Sequence, residues 1–220
     1  MQKAAFAALA LVLSGYASTR AAPVRQESTA AWQGKTITAT QRDKRDFGAM
    51  TAGKAALSLV GMTAAFKAGN KIVRDNAVED PAVAIRDALL EDLARSWQLT
   101  IIPVSGMATG SSLKATAKQH PNADLLLDVR TFGWGFIYFL TDLRHYHVIY
   151  SVKLRLFDSR KSAVIAAGYC VREPYNTRGA PSYDELLANR AARLKEELSK
   201  VGGECLAELR TNVIGAVPES

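Results

Sequence analysis

The sequence predicts an α+β fold, in which a mixed, largely antiparallel sheet has helices packed on one face. Three observations predict it. A helical pattern with a clear N-cap leads directly into a short apolar segment near residue 100, three consecutive segments then alternate apolar and polar residues, and a long helical pattern ends the chain. With 220 residues, of which 48% are apolar, the chain is long enough for one domain with its own core.

The first 17 residues have the anatomy of a secretory signal peptide. Lys3 provides a positive start, residues 4–13 are apolar, and the small residues Gly15 and Ala17 suit a cleavage after Ala17. The apolar run is too short to span a hydrocarbon core of about 30 Å. We therefore expect export, and a periplasmic or outer-membrane associated location.

Residues 18–34 lack periodicity and are rich in Ala, Ser, Thr and Gln, which predicts a flexible tether. A single α+β domain is predicted over residues 35–220. Its first strand, over residues 36–42, is β-prone and ends in a charged turn. Residues 47–70 are small and apolar, and they predict a helical insert in this domain.

Small residues recur at every fourth position of this insert, and Gly61, Ala65 and Gly69 belong to the series. One face of the predicted helix is therefore nearly bare, which allows another backbone to approach closely. Two interpretations follow. The bare face packs inside the domain, or it contacts a second copy of the chain or a membrane surface.

The most distinct helix is predicted to begin at Asp80. Asp is a favoured N-cap, and Pro81 suits the first helical position because its φ is preset and its missing N–H would have no partner there. Apolar residues then recur at helical spacing as far as Trp97. A short buried strand over residues 99–102 and a short helix over residues 111–119 are expected to follow.

Three antiparallel strands are predicted over residues 124–138, 145–158 and 162–172, because apolar and polar residues alternate along them. The first of these strands changes phase in its middle. Up to Val129 the alternating apolar residues occupy odd-numbered positions, and the apolar residues that follow occupy even-numbered positions. A β-bulge near Gly133 would bring both groups to one face, since one extra residue reverses the phase.

The residues after this change of phase form an aromatic row. They are Phe132, Trp134, Phe136 and Tyr138. With the bulge, the row is part of the core. Without it, the row is an exposed binding surface or a membrane-interface anchor.

The last helix is predicted to begin at Ser182, which forms a capping-box pattern with Glu185. Cys205 lies on the apolar stripe of this helix, and Cys170 lies on the third antiparallel strand. A disulfide between them would join the helix to the sheet, and the alternative is that both are small buried side chains. Two glycines at residues 202–203 predict a kink.

The chain has 28 Lys and Arg against 21 Asp and Glu, which gives a formal charge of +7. This charge favours an anionic partner. The basic residues are scattered and no basic stripe alternates with aromatic residues, so we expect no nucleic-acid binding. The expected partner is an envelope protein or an anionic membrane surface, with a homo-oligomer as an alternative.

The sequence shows no catalytic motif. It has no G-x-S-x-G segment, and neither cysteine lies in a nucleophile motif. His145 and His147 are weak candidates for a metal site, because residues two apart on a strand share a face, but no third ligand is indicated. We therefore expect no enzyme activity, no cofactor and no resident metal.

Leu13, Ser14 and Gly15 match the first three positions of the lipobox of bacterial lipoproteins, and Tyr16 stands where the lipidated cysteine belongs. A tyrosine cannot form the thioether, so lipidation is not expected. Together with the order of predicted elements, this segment resembles small bacterial envelope lipoproteins. More loosely, the chain is similar to the curli-secretion lipoprotein and to the amino-terminal domain of the Tol-Pal translocation protein.

The resemblance implies a non-enzymatic role in the cell envelope and identifies no functional residues. We therefore expect an exported, periplasmic, membrane-peripheral binding or assembly protein. The alternative is an oligomeric subunit of an envelope secretion or transport system, and a metal-dependent hydrolase is the least favoured hypothesis. The aromatic row and the small-residue helix are the candidate binding surfaces.

Overall fold

The computed structural model describes residues 23, 30–104, 106–108, 110, 112–174 and 176–215. The predicted signal peptide and most of the predicted tether lie outside the described residues. The end of the tether segment belongs to the domain, because Ala30–Trp32 forms a 3-10 turn and Trp32 is 3% exposed. The Trp32 ring packs 4.8 Å, centroid to centroid, from Trp97. The folded domain therefore begins before Lys35.

The strands of the described chain form one mixed sheet. They are β1 (Thr36–Ala39), β2 (Phe47–Met50), β3 (Thr100–Ile101), β4 (Leu125–Phe139), β5 (Asp142–Asp158) and β6 (Ala163–Arg172). The spatial order is β3-β1-β4-β5-β6, and β2 pairs with β4 beyond the end of β1. The three long strands β4, β5 and β6 are antiparallel, as predicted, whereas β1 and β2 run parallel to β4.

The helices of the described chain form two unequal groups around this sheet. They are α1 (Ala52–Ala55), α2 (Ser58–Asn76), α3 (Pro81–Trp97), α4 (Leu113–Gln119) and α5 (Tyr183–Leu209). Helix α3 packs on β1 and β4, and α5 packs on β5 and β6, so both cover the face that we call the inner face. The short α4 lies on the opposite, outer face, where Leu113 contacts Leu126 and Phe157.

The core lies between the inner face and these two helices. Leu125, Leu127 and Val129 of β4 point into it, whereas Leu126 points to the outer face. Helix α3 contributes Leu89 and other apolar residues, and α5 contributes its own apolar stripe. The α+β fold class and the large mixed sheet are confirmed.

Two predicted helix ends are formed by the expected side chains. Asp80 accepts a hydrogen bond from Ala82 N at 2.9 Å and begins α3. Ser182 and Glu185 form the full capping box that begins α5. These local signals agree with the structure because a helix end depends on side chains within three residues of it.

The helical insert predicted over residues 47–70 is partly wrong. Residues 47–50 form β2, and the helical part continues to Asn76. The strand forms because Phe47 fits a core site beside Trp134, with ring centroids 4.9 Å apart, while the backbone pairs with β4. Pairing of this kind depends on residues almost ninety positions away, which a local pattern does not contain.

The predicted interruption of the last helix lies elsewhere. The backbone leaves the helical region at residues 188–191, where Asn189 has a φ of 52°. At residues 202–203 the helix is continuous, and Gly202 provides room instead. A Cβ at this position would lie 2.8 Å from Cβ of Pro81 on α3, so the glycine allows α3 and α5 to approach closely.

Candidate functional site

The aromatic row divides between the two faces of the sheet. The register of β4 against β5 shifts between Thr131 and Gly133, which is the predicted β-bulge. After the bulge, Trp134 and Phe136 point inward and are buried, and Phe132 is 56% exposed on the outer face. Tyr138 is half-buried against the core.

Burial removes Trp134 and Phe136 as a binding surface. The indole N–H of Trp134 donates to the carbonyl of Arg45 at 2.8 Å, so its polar atom is satisfied inside the fold. Phe136 has an edge contact with Tyr146, with ring centroids 5.7 Å apart. The interpretation of the row as core is therefore right for these two residues.

The small-residue face of α2 covers the free edge of β2. Gly61, Ala65 and Gly69 are all buried. A Cβ added to Gly69 would lie 1.9 Å from the carbonyl oxygen of Phe47, and one added to Gly61 would lie 1.7 Å from that of Lys54. The helix therefore lies directly against the strand and against α1.

Two side chains complete this contact. Asn70 Oδ1 accepts from the Phe47 N–H at 2.9 Å, and Lys54 Nζ donates to the Ala49 carbonyl at 2.9 Å. Both backbone groups belong to β2, and an uncovered strand edge would be a template for pairing with another chain. In this structure the small-residue face contacts its own domain, so it is not exposed to a second copy or a membrane.

The two cysteines are joined. Cys170 on β6 and Cys205 on α5 form a disulfide with Cα atoms 5.5 Å apart. Both residues are buried. The bond therefore connects the inner face of the sheet to the helix that covers it.

The two candidate metal-ligating histidines each have another neighbour. His145 Nδ1 lies 2.6 Å from Asp142 Oδ2. The buried His147 ring packs against Phe139 in a tilted arrangement, and its Nε2 lies 3.8 Å from Glu173 Oε1. Burial lowers the pKa of His147, and the charge of Glu173 opposes this shift. Within the described residues, no group of three metal-ligating side chains is present.

A groove of about 640 Å³ lies on the helical side of the domain, between the start of α3 and the middle of α5. Its walls are mainly apolar, and Glu79 and Asp87 lie among its polar residues. Each of these carboxylates has a cationic partner, since Glu79 pairs with Lys44 at 3.1 Å and Asp87 pairs with Arg86 at 2.7 Å.

Large apolar side chains are exposed at one end of the molecule. At this end β2 leads into α1 and α2, and β4 turns into β5, because Met50 of β2 pairs with Ile137 near the end of β4. The exposed side chains lie on residues 57–66 and on residues 140–143, and together we call them the apolar end surface. Its residues are Leu57, Leu59, Val60, Met62, Phe66, Leu140 and Leu143.

Exposure on this surface is high for apolar residues. Leu59 and Val60 are each 73% exposed, and Leu140 is 85% exposed. The nearby chain also has the exposed cations Lys67 and Arg144. Exposed apolar side chains that are concentrated at one end of a domain indicate contact with a partner or a membrane. None of the helices in the described ranges is long and apolar enough to cross a bilayer.

The sequence analysis did not identify this surface. Its signal was the apolar series on α2 that does not coincide with the small residues, together with leucines in the turn between two strands. Neither pattern shows which helical face is covered. The sequence left open whether the face that holds Gly61 is covered or exposed, and its small residues are what allow the strand edge and α1 to cover it.

No family model and no curated protein matches the chain. Among solved structures, the hypothetical protein CT253 from Chlamydia trachomatis is similar, with 12% identity and a TM-score of 0.38 over 83% of this chain and 99% of that chain. The lipoprotein GNA1162 from Neisseria meningitidis has 13% identity and a TM-score of 0.35, over 79% and 99% of the two chains.

The C-terminal domain of LpoB from Salmonella enterica is also similar, with 11% identity and a TM-score of 0.29, over 64% of this chain and 84% of that chain. One of these similar structures, GNA1162, is named a lipoprotein. The likeness is loose, and no residue role is transferred from these proteins. The similarity to the curli-secretion and Tol-Pal proteins stays a prediction.

Proposed function

We propose that the protein is a non-enzymatic, membrane-peripheral protein of the bacterial cell envelope that binds an anionic membrane through the apolar end surface. The observation that carries the proposal is the exposure of seven large apolar side chains at one end of the domain. The predicted signal peptide supports an exported location. The net charge of +7 supports an anionic membrane as the partner.

Both parts of the surface suit insertion into the interface between water and lipid. Leu59 and Val60 lie on the first turn of α2, and Leu140 lies at the turn between β4 and β5. Burying an aliphatic side chain of this size in an apolar environment contributes about 1.5–3 kcal/mol. Lys67 and Arg144 would remain at the level of the lipid headgroups, where each cation near the surface contributes about 1 kcal/mol.

The first prediction concerns membrane binding. Protein purified from the envelope of a Gram-negative host should co-sediment with vesicles that contain phosphatidylglycerol. The double variant Leu59→Ser, Val60→Ser should bind at least tenfold more weakly, because both side chains lose their apolar burial. Circular dichroism and thermal melting should be unchanged, since both side chains are exposed in the free protein.

The matched control is Val164→Ser, Val171→Ser. These two valines lie on β6 and are 50% and 48% exposed, so the control also removes two exposed apolar side chains. It should bind as the unchanged protein does. Absence of vesicle binding, or an equal loss in the control, would contradict the proposal. If the surface instead joins two copies of the chain, sedimentation velocity will show an oligomer that only the Leu59, Val60 variant dissociates.

A further inference from the structure

The outer face of the sheet has a cluster of arginines around one buried carboxylate. Asp128 is 1% exposed, and its Oδ1 accepts from Arg42 Nε and from Thr40 Oγ1, each at 2.7 Å. Its Oδ2 accepts from Arg155 Nη2 at 2.6 Å. Burial opposes ionisation of Asp128, but the hydrogen bonds from Thr40 and Arg155 and the charge of Arg42 outweigh it and lower its pKa.

Arg130 adds a positive charge that this carboxylate does not balance. It follows Asp128 by two residues on β4 and therefore points to the same outer face. Its direct cross-strand neighbour on β5 is Lys153. Like charges directly opposite each other on neighbouring strands destabilise a sheet.

The arginines act on each other electrostatically. Burial, together with the positive charges of Arg155, Arg42 and Arg45, lowers the pKa of Arg130, and the charge of Asp128 opposes this shift. The Nε of Arg130 and the Nη2 of Arg42 are both buried and have no hydrogen-bond partner among the described residues. Buried guanidinium N–H groups without an acceptor are costly to the fold.

The region around Arg130 is accessible beside this cluster. Arg130 and Lys153 are half-buried. Phe132, displaced to the outer face by the bulge, has an edge contact with Tyr169 at 5.9 Å between ring centroids. Helices α3 and α5 cover the inner face, and α4 packs on the outer face at Leu126 and Phe157. The Arg130 and Lys153 pair lies four residues further along β4 and β5, and both side chains keep partial exposure.

We propose that this cluster is a binding site for a phosphate-bearing anion, with Arg130 as its central ligand. Arg42 and Arg155 are paired with the carboxylate of Asp128, whereas Arg130 and Lys153 lie directly opposite each other beside it. Asp43 and Asp80 also line the small cavity next to Arg42 and Arg130. Guanidinium groups bind phosphate oxygens with short, charge-assisted hydrogen bonds. A phosphate would supply acceptors for the unpaired N–H groups and would separate the like charges of Arg130 and Lys153. The site does not depend on the apolar end surface.

The test uses two soluble probes, inorganic pyrophosphate and monomeric dihexanoyl phosphatidic acid, with calorimetric titration at low salt. At least one of them should bind, and binding should weaken as salt increases. Arg130→Gln should weaken that binding about tenfold or more, since a hydrogen bond to a charged group is lost. The stronger probe identifies the source of the phosphate as a free anion or a lipid headgroup, and either result supports the site.

A stability measurement separates a ligand site from a structural cluster. Without probe, Arg130→Gln should melt at the same temperature as the unchanged protein or higher, because a repulsion is removed. The matched control is Arg95→Gln, which removes one exposed charge from α3 on the other side of the sheet. Failure of both probes to bind, an equal loss of affinity in the control, or unfolding of Arg130→Gln would overturn the proposal.

Discussion

Asp80 has two roles at once, as the N-cap of α3 and as a buried group in the core. Its Oδ1 accepts from Ala82 N and from Thr131 Oγ1. The Thr131 hydroxyl oxygen lies 3.4 Å from that of Tyr150, which is itself fully buried. Burial raises the pKa of Asp80, and the hydrogen bonds from Thr131 and Ala82 oppose the shift.

This shift predicts a dependence of stability on pH. A carboxyl whose pKa is raised in the folded state favours folding while it is protonated, and this contribution is lost as pH rises from about 4, its unfolded value, through the folded pKa. Asp80→Asn keeps the oxygen that accepts both hydrogen bonds and cannot ionise. The variant should therefore gain in relative stability between pH 4 and pH 7, measured by urea denaturation at each pH.

The control for this experiment is the Thr131→Val, Asp80→Asn double variant, which also removes the hydroxyl donor. It should be less stable than Asp80→Asn at every pH but should retain the same slope. If Asp80→Asn became steadily less stable than the unchanged protein as pH rises, the buried carboxylate would be stabilising when ionised, and the argument from burial would be wrong.

The sequence predicted the capping role of Asp80 but not its burial. The N-cap signal is local, since Asp80 and Pro81 are adjacent. The contact with Thr131 joins residues 51 positions apart and exists only because α3 packs across β4. The same distinction explains why the arginine cluster around Asp128 was not identified: its members come from the segment after β1, from β4 and from β5.

Among the elements, the contact of α2 with β2 shows how a bare helical face protects a strand edge. The helix approaches so closely that no side chain fits at Gly69, and two polar side chains satisfy two of the strand's outward backbone groups. A wider separation would leave these groups without partners or would require water between helix and strand. The spacing of the small residues predicted the close approach, and the structure identifies the partner.

Gly69→Ala should therefore destabilise the protein. Alanine favours a helix over glycine by about 1 kcal/mol, but its Cβ would lie 1.9 Å from the Phe47 carbonyl oxygen, so the helix must move away from the strand. Overpacking of this kind costs about 1–3 kcal/mol or more, and we expect the clash to outweigh the helix propensity. Urea denaturation measures the change in the free energy of unfolding.

Gly53→Ala is the matched control, because Gly53 lies in α1 and nothing is within 4 Å of a Cβ added there. This variant should be as stable as the unchanged protein or up to about 1 kcal/mol more stable. A Gly69→Ala variant as stable as Gly53→Ala would mean that α2 is not held against β2 in solution.

The bulge in β4 is an element-scale feature that the sequence offered as one of two alternatives, and the structure decides between them. Alternation reverses within one strand, and only an inserted residue allows both halves to face the core. The pattern indicated a bulge near Gly133, and the register shift between Thr131 and Gly133 agrees with it. The pattern did not show that Phe132 would be the displaced residue on the outer face.

For the molecule as a whole, the disulfide joins the sheet to its helical layer. Cys170 and Cys205 are 35 residues apart, and the bond links β6 to α5. On the loop-entropy model, a link that closes a loop of this length stabilises the fold by about 4 kcal/mol. The exported location that we propose is one in which such a bond persists.

Reduction should therefore lower the free energy of unfolding by about 3–4 kcal/mol in urea denaturation, measured with and without dithiothreitol. The Cys170→Ala, Cys205→Ala double variant is the control. It should have a stability near that of the reduced protein and should not respond to the reductant. An unchanged midpoint on reduction, after thiol titration has confirmed two free thiols, would contradict this role of the bond.

The two proposed binding regions lie on separate parts of the molecule. The apolar end surface belongs to α2 and to the turn between β4 and β5, whereas the arginine cluster lies on the outer face of the sheet. Variants in one region should leave the other unaffected, because no residue is shared. The membrane experiment and the soluble-anion experiment can therefore fail independently.

The sequence by itself determined the fold class, the three long antiparallel strands and the helix starts at Asp80 and Ser182, and it offered the bulge near Gly133 as one of two alternatives. Each of these depends on periodicity or on neighbours within a few residues, which a linear pattern contains. Only the tertiary structure decided that residues 47–50 form a strand, that the small-residue face covers this strand, and that Leu59 and Leu140 stay exposed. These outcomes depend on which surfaces come into contact after distant segments pair. Burial is therefore set by contacts that a local pattern does not contain.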